Sequence, residues 1–373
     1  MRKDRVKKSV CMIGTALIVS QLAGCAGYQE YRKDYEEFQE YKKYKQELEE
    51  GTEASVSETE ETESAAQDQI NGEGAASENV PQETGESSSE QPEPESSFQP
   101  LTAEEIAVRK ALQQTYIKER NEVYALPASY EKTLKINELD KKILENAYCS
   151  LTDKQVVFIG DSITEGVGGN LDPNGNKISY VNYVDEALDF KAVLNHGKAG
   201  RTVTNYGDVE LSLDADIDNL INIDCDPVVI FIGLNDYLYY SKEKRYGALD
   251  NGSTAGYCGA IQSFVEAIER NYPDKEYFFV TTYPILSTDA STYTDYEGTP
   301  SFNDYMEIQR ILAERYGYHI IDIYNSGFLS TQDAVTTANL VPDGIHPNDT
   351  GYRMLGEHIA AELLLYYEDA MTE

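Results

Sequence analysis

Beyond about residue 154 the chain alternates short apolar runs with amphipathic stretches. The runs Val156–Ile159, Ala192–Leu194, Val228–Ile232, Tyr277–Thr281 and Ile320–Ile323 are mostly continuous, with little polar alternation, as in strands buried on both faces. Between them, apolar spacings of three and four predict helices over Tyr180–Leu188, Ile217–Ile221, Tyr257–Arg270 and Phe302–Arg315, with a last helix over Thr350–Tyr367. Strand–helix alternation sustained for about 220 residues predicts an α/β domain over 151–373, with one central parallel five-stranded sheet covered by helices on both faces.

Upstream the pattern changes three times. Thr102-Ala103-Glu104-Glu105 has the form of a capping box; helical patterning then runs to about Tyr124, breaks at Pro127 and resumes from Tyr130 to Tyr148. This predicts a helical lead-in over 101–150 packed on the α/β domain, with a separate helical hairpin as the alternative. Residues 49–100 hold fifteen acids and no Lys or Arg, too polar to offset the entropy of ordering, and are expected to be an acidic disordered linker. As a flexible coil it spans about 40 Å. From Tyr28 to Leu48 an apolar or aromatic residue recurs every three or four positions, one stripe on a charged helix over 25–48. A short coiled coil and a lone helix near a membrane fit that stripe equally.

The first residues read as an export signal. Arg2, Lys3, Arg5, Lys7 and Lys8 precede an apolar stretch from Val10 to Leu22 that is short for a membrane span. It ends in Leu22-Ala23-Gly24-Cys25, which resembles a bacterial lipobox. The resemblance implies a lipoprotein signal peptide over 1–24, lipid attachment at Cys25, and display at the cell surface on the outer face of the cytoplasmic membrane. An ordinary signal peptide with an incidental Cys25 is the alternative.

Removing five basic residues and Asp4 with that segment moves the formal net charge from −35 to −39. Such a surface repels nucleic acid and anionic lipid heads, so membrane contact is expected through the N-terminal lipid only. Cys149, Cys225 and Cys258 remain after the signal and anchor; an odd number without tight spacing argues against a disulfide framework and a zinc site, and no metal or cofactor is expected.

Four strings along the domain carry chemistry: Gly160-Asp161-Ser162, then Gly200, then Gly233-Leu234-Asn235-Asp236, then Asp343-Gly344-Ile345-His346. Ser162 falls where the first strand turns into a helix, which leaves its own amide to face a substrate oxygen; helix capping is the alternative use. Gly200 has no side chain to keep a substrate from its amide, with Gly197 the alternative donor in the same loop. Asn235 offers an uncharged donor at the end of the third strand. Asp343 and His346 stand three apart between Pro342 and Pro347, so the carboxylate can orient the imidazole toward Ser162. His196, His319 and His358 are expected to be structural. The strings thus propose Ser162, Asp343 and His346 as catalytic, with Ser162, Gly200 and Asn235 as the oxyanion hole. Asp161, Arg201, Asp236 and Tyr237 are expected as substrate contacts.

In these blocks the chain resembles the SGNH/GDSL hydrolase superfamily, named for Ser, Gly, Asn and His, over about residues 154–368. The matching residues are Ser162 in Gly-Asp-Ser-Ile-Thr, Gly200, Asn235, and His346 in Asp-Gly-Ile-His-Pro, with Asp343 three before the histidine. The resemblance implies a flavodoxin-like three-layer α/β/α sandwich and a serine esterase working by a Ser-His-Asp triad. Short acyl esters, acetyl above all, on extracellular or cell-wall carbohydrate are the expected substrates. The anchor, the tether and the polar, Tyr-rich inserts Tyr237–Gly256 and Ser287–Thr299 favour an acylated glycan, although tyrosine is abundant throughout, at 29 residues. A lysophospholipase or thioesterase, an O-acetyltransferase and, last, a non-catalytic glycan-binding module are the alternatives.

Overall fold

A computed structural model describes residues 101–205, 212–213, 225–240, 246–285 and 300–370. The expected signal peptide, Cys25, the charged helix, the acidic linker, the helix over 217–221 and the second tyrosine-rich insert lie outside the described residues.

Five short strands form the sheet: β1 (Gln155–Gly160), β2 (Ala192–Gly197), β3 (Val228–Phe231), β4 (Tyr277–Val280) and β5 (His319–Ile321). They lie in the order β2-β1-β3-β4-β5 and every pairing is parallel. The register explains why the runs read as continuously apolar. Phe158, Val229, Phe278 and His319 lie side by side across four strands, and the alternate residues Val157, Val228 and Tyr277 form the row on the opposite face. The first row meets α4 (Tyr180–Leu188) and α10 (Asp349–Ala370): Phe158 packs edge-on against Tyr180, and Phe278 against Tyr366. Helices α6 (Tyr257–Asn271) and α7 (Phe302–Tyr316) pack on one another, and α7 also on β4 and β5. The result is the expected three-layer α/β/α arrangement.

The lead-in forms α1 (Ala103–Tyr124), begun by the expected capping box of Thr102 and Glu105, and α2 (Tyr130–Glu145), capped by Ser129. It packs on α10 rather than standing apart. Asp140 on α2 is fully buried and holds both Arg120, at 2.6 Å, and His358 of α10, at 2.8 Å. Arg120 also reaches Glu362 at 2.5 Å. Burial pushes the Asp140 carboxyl up, but its contacts with His358 and Arg120 pull it below the usual range. A carboxylate so placed is tolerated only while paired.

The helix expected to begin at Ser162 is the single turn α3 (Ser162–Glu165), whereas three further short helices were not expected: α5 (Leu234–Tyr240), α8 (Ile323–Ser326) and α9 (Ala334–Leu340). Each is too short to show a hydrophobic period. Among the described residues, no helix is long and apolar enough to cross a membrane.

Candidate active site

In a sheet of this order the chain leaves β1 toward β2 on one side and later returns to β3 on the other. The carboxyl ends of β1 and β3 therefore flank a crevice, where open parallel sheets place their ligands. The first block follows β1 and the third follows β3, and Gly160 and Phe231 are register partners. Gly160 has to be glycine: a Cβ there would lie 2.6 Å from the Phe231 carbonyl oxygen and closer still to Thr164. Asp161 then caps the single turn α3 by accepting from the Ile163 amide at 3.0 Å, which sets Ser162 at its first position.

His346 arrives from the loop between α9 and α10. Its Nε2 lies 2.9 Å from Ser162 Oγ and its Nδ1 2.7 Å from Asp343 Oδ2. The carboxylate fixes the ring proton on Nδ1, so Nε2 is left to accept from the serine hydroxyl. Asp343 Oδ1 accepts from the amides of Ile345 and His346, at 2.8 and 2.6 Å, which folds the four residues into a tight turn around the carboxylate. Burial raises the Asp343 carboxyl, but its bonds to the His346 ring and to the two amides hold it below its ordinary value. The acid stays ionised, as an orienting group must. Buried Tyr283, just after β4, donates its hydroxyl to the Ile345 carbonyl and so ties the turn to the sheet.

The three donors expected for the oxyanion are the Ser162 and Gly200 amides and the Asn235 side chain. The Ser162 and Gly200 amides donate to no described residue. The Gly197 amide, the alternative donor, is already engaged with Asn195 Oδ1 at 2.8 Å. Arg201 N–H to the Lys198 carbonyl closes a turn in which Gly200 takes φ +77°, a conformation that favours glycine. Asn235 is nearly buried and gives one Nδ2 hydrogen to the Arg201 carbonyl at 2.9 Å. Its amide group carries a second.

The four expected substrate contacts are placed differently. Asp236 is 0 % exposed and accepts from the Val203 and Thr204 amides at 2.8 and 3.0 Å. Asp236 and Asn235 together strap the Gly200 loop to the start of α5. Asp161, 1 % exposed, is committed to the α3 cap, and Tyr237, 2 % exposed, packs its ring against Phe302 and Tyr305. Arg201 is also buried and donates to the His196 carbonyl at 2.6 Å. All four side chains are engaged within the protein, and Asp161, Arg201 and Asp236 hold the backbone that carries the blocks. Burial pushes the carboxyls of Asp161 and Asp236 up to about 6, against the backbone hydrogen bonds that favour their charge.

Asn195 and Tyr283 were missed. Asn195 donates to the Thr164 carbonyl at 2.8 Å and so joins β2 to α3. Neither residue forms a motif with its sequence neighbours. Cys149, Cys225 and Cys258 are buried, and among the described residues no two cysteines are joined and no cluster of His, Cys, Asp and Glu is arranged to hold a metal.

Residues 158–354, which contain all four blocks, match the model of the GDSL-like lipase/acylhydrolase family. Solved structures similar to the chain include a protein from Lactobacillus plantarum, 21% identical with a TM-score of 0.48, over 57% of this chain and 97% of that one. Another is an acetyl xylan esterase from Geobacillus stearothermophilus, 22% identical with a TM-score of 0.39, over 56% of this chain and 93% of that one. No curated protein matches the chain.

Proposed function

The chain belongs to the GDSL-like lipase/acylhydrolase family and is a carboxylic ester hydrolase, and from that premise we propose that Ser162, His346 and Asp343 hydrolyse short acyl esters, acetyl above all, on extracellular carbohydrate. The unbroken line from Asp343 through His346 to Ser162, with the Ser162 and Gly200 amides donating to no described residue, carries the mechanistic reading. His346 takes the Ser162 proton as Oγ attacks the ester carbonyl. The Ser162 and Gly200 amides and the second Asn235 hydrogen hold the oxyanion. His346 then protonates the departing alcohol, and a water activated by the same imidazole releases the acid.

The acyl side is read from the ground behind β3. Tyr237, Tyr257, Phe302 and Tyr305 pack there ring against ring and are at most 2 % exposed, so side chains fill the volume a long acyl chain would need on that flank. The alcohol side rests on the export reading. A protein lipidated at Cys25 and tethered by residues 49–100 meets surface polysaccharide before any cytoplasmic ester. Tyr237 and half-buried Tyr246 face this packed cluster, so the substrate reading draws no support from them as sugar-stacking platforms.

A series of p-nitrophenyl esters from acetate to laurate tests the acyl side. The expected kcat/KM falls by about tenfold or more beyond butyrate, and a rise with chain length would instead make the enzyme lipolytic. Acetate release from acetylated xylan and acetylated peptidoglycan tests the alcohol side. Partition of the full chain into detergent, lost in Cys25→Ala, tests the anchor.

A further inference from the structure

Glu165 is bound to the loop that carries Gly200. It closes α3, three residues after Ser162 on the same turn, and its Oε2 accepts the Ala199 amide proton, while Lys177 Nζ lies 2.5 Å from its Oε1. Ala199 is the residue before Gly200 in the turn closed by Arg201 and Lys198. The path from nucleophile helix to oxyanion donor through Glu165 is therefore shorter than the path along the sheet.

The surroundings make this a clamp rather than a chance surface contact. β2 is pressed against α3, where a Cβ on Gly197 would stand 2.2 Å from the Glu165 amide nitrogen. Asn195 ties β2 to the Thr164 carbonyl, and the Lys198 amide ties it to the Gly160 carbonyl at 3.1 Å. These bonds hold the turn at its base. Ala199, at the tip, is held by Glu165 alone among the described residues, and the tip decides where the Gly200 N–H points. A donor aimed at an oxyanion works only if its direction is set before the charge appears.

We propose that Glu165 is a positioning residue for ester hydrolysis: by holding the Ala199 amide it aims the Gly200 amide at the developing oxyanion, and Lys177 balances the negative charge this brings near another. The inference rests on the oxyanion assignment above. A bare carboxylate close to the oxyanion would oppose it, so the ion pair with Lys177 has an electrostatic purpose even where partly exposed.

The test compares variants of the full chain with p-nitrophenyl acetate, each kcat expressed per site titrated with a fluorophosphonate. Glu165→Gln keeps an acceptor for Ala199 and should stay within about threefold of the parent, whereas Glu165→Met should lose about tenfold or more in kcat at unchanged KM. Glu165→Asp, which shortens the reach without removing the charge, should fall between them and decides the matter if the Met variant does not fold. Affinity for phenylboronic acid, whose tetrahedral adduct on Ser162 uses the same donors, should drop in step with kcat. Lys177→Met should lose less than about threefold, and less still in high salt. Gln, Asp and Met variants of equal kcat, or a loss confined to KM, would overturn the proposal. Turnover surviving in Ser162→Ala would instead overturn the parent reading, so the two failures are distinguishable.

Discussion

The molecule holds two aspartate–histidine pairs built to nearly the same measure. His346 Nδ1 lies 2.7 Å from Asp343, and His358 Nδ1 lies 2.8 Å from Asp140. What surrounds them differs in every respect. The first pair keeps 20 % and 47 % of its side-chain surfaces in solvent, and the far nitrogen of its ring faces Ser162. The second keeps 2 % and 0 %, shares its carboxylate with Arg120, and lays its ring on Phe328. A histidine that must gain and lose a proton during a reaction needs a partner on its far side and access to water. A pair that joins two helical layers needs a fixed counter-charge and exclusion of water. An Asp–His contact is therefore no signature of catalysis by itself. The group at the other ring nitrogen, and the solvent, decide which kind of pair it is.

The sharpest way to break the comparison is Ser162→Ala. It should cut turnover of p-nitrophenyl acetate by about 10⁴-fold or more, with melting unchanged; activity within tenfold of the parent would remove Ser162 from the mechanism. Next, Asp343→Asn should cost about 10³- to 10⁴-fold in kcat by misplacing the imidazole proton. The matching change in the other pair, Asp140→Asn, should leave kcat per folded molecule within about twofold and lower unfolding stability in urea by about 3 kcal/mol. A catalytic defect without a stability defect in Asp140→Asn would erase the distinction between the pairs. Asn235→Ala should cost about 10²-fold in kcat with little change in KM.

The smallest effect concerns Glu368 of α10, on the same helix as His358. Its carboxylate accepts from the Tyr148 amide at 2.6 Å, and burial pushes it up to about 7 against that bond. The folded protein therefore holds this proton more tightly than the unfolded chain. Its contribution to stability is complete below about pH 4.5 and is lost as pH rises through about 7. Glu368→Gln should be more stable than the parent by about 1–3 kcal/mol at pH 8, and equal to it at pH 4. Denaturation curves at the two pH values check the sign; a parent that gains on the variant with rising pH would mean that Glu368 is charged in the fold.

The two pairs were unequally visible in the sequence for a physical reason. Asp343 and His346 stand three apart on a loop, and local spacing alone brings them together. Asp140 and His358 lie 218 positions apart and Arg120 joins them from a third helix, so no local pattern relates the three. The same division runs through the fold. The strands were legible because a sheet covered on both faces requires unbroken apolar runs, and Tyr180–Leu188 because Tyr180, Val181, Val184 and Leu188 fall on the one side of a helix that is buried. The short helices and the burial of Asp161, Asp236 and Tyr237 were not. Whether a polar side chain beside a motif faces the ligand or the scaffold depends on strands that the motif does not contain.

By itself the sequence determined the parallel α/β architecture, the four blocks and which residues to propose as nucleophile, base and acid, since each depends on periodicity or on close spacing. Only the tertiary structure decided which glycine amide donates to no described residue, that Asp236 and Arg201 bond to the backbone of the Gly200 loop and of β2, and that Glu165 grips the turn before Gly200. Those outcomes depend on contacts between residues tens of positions apart, where direction and burial are properties of the packed chain and not of any segment.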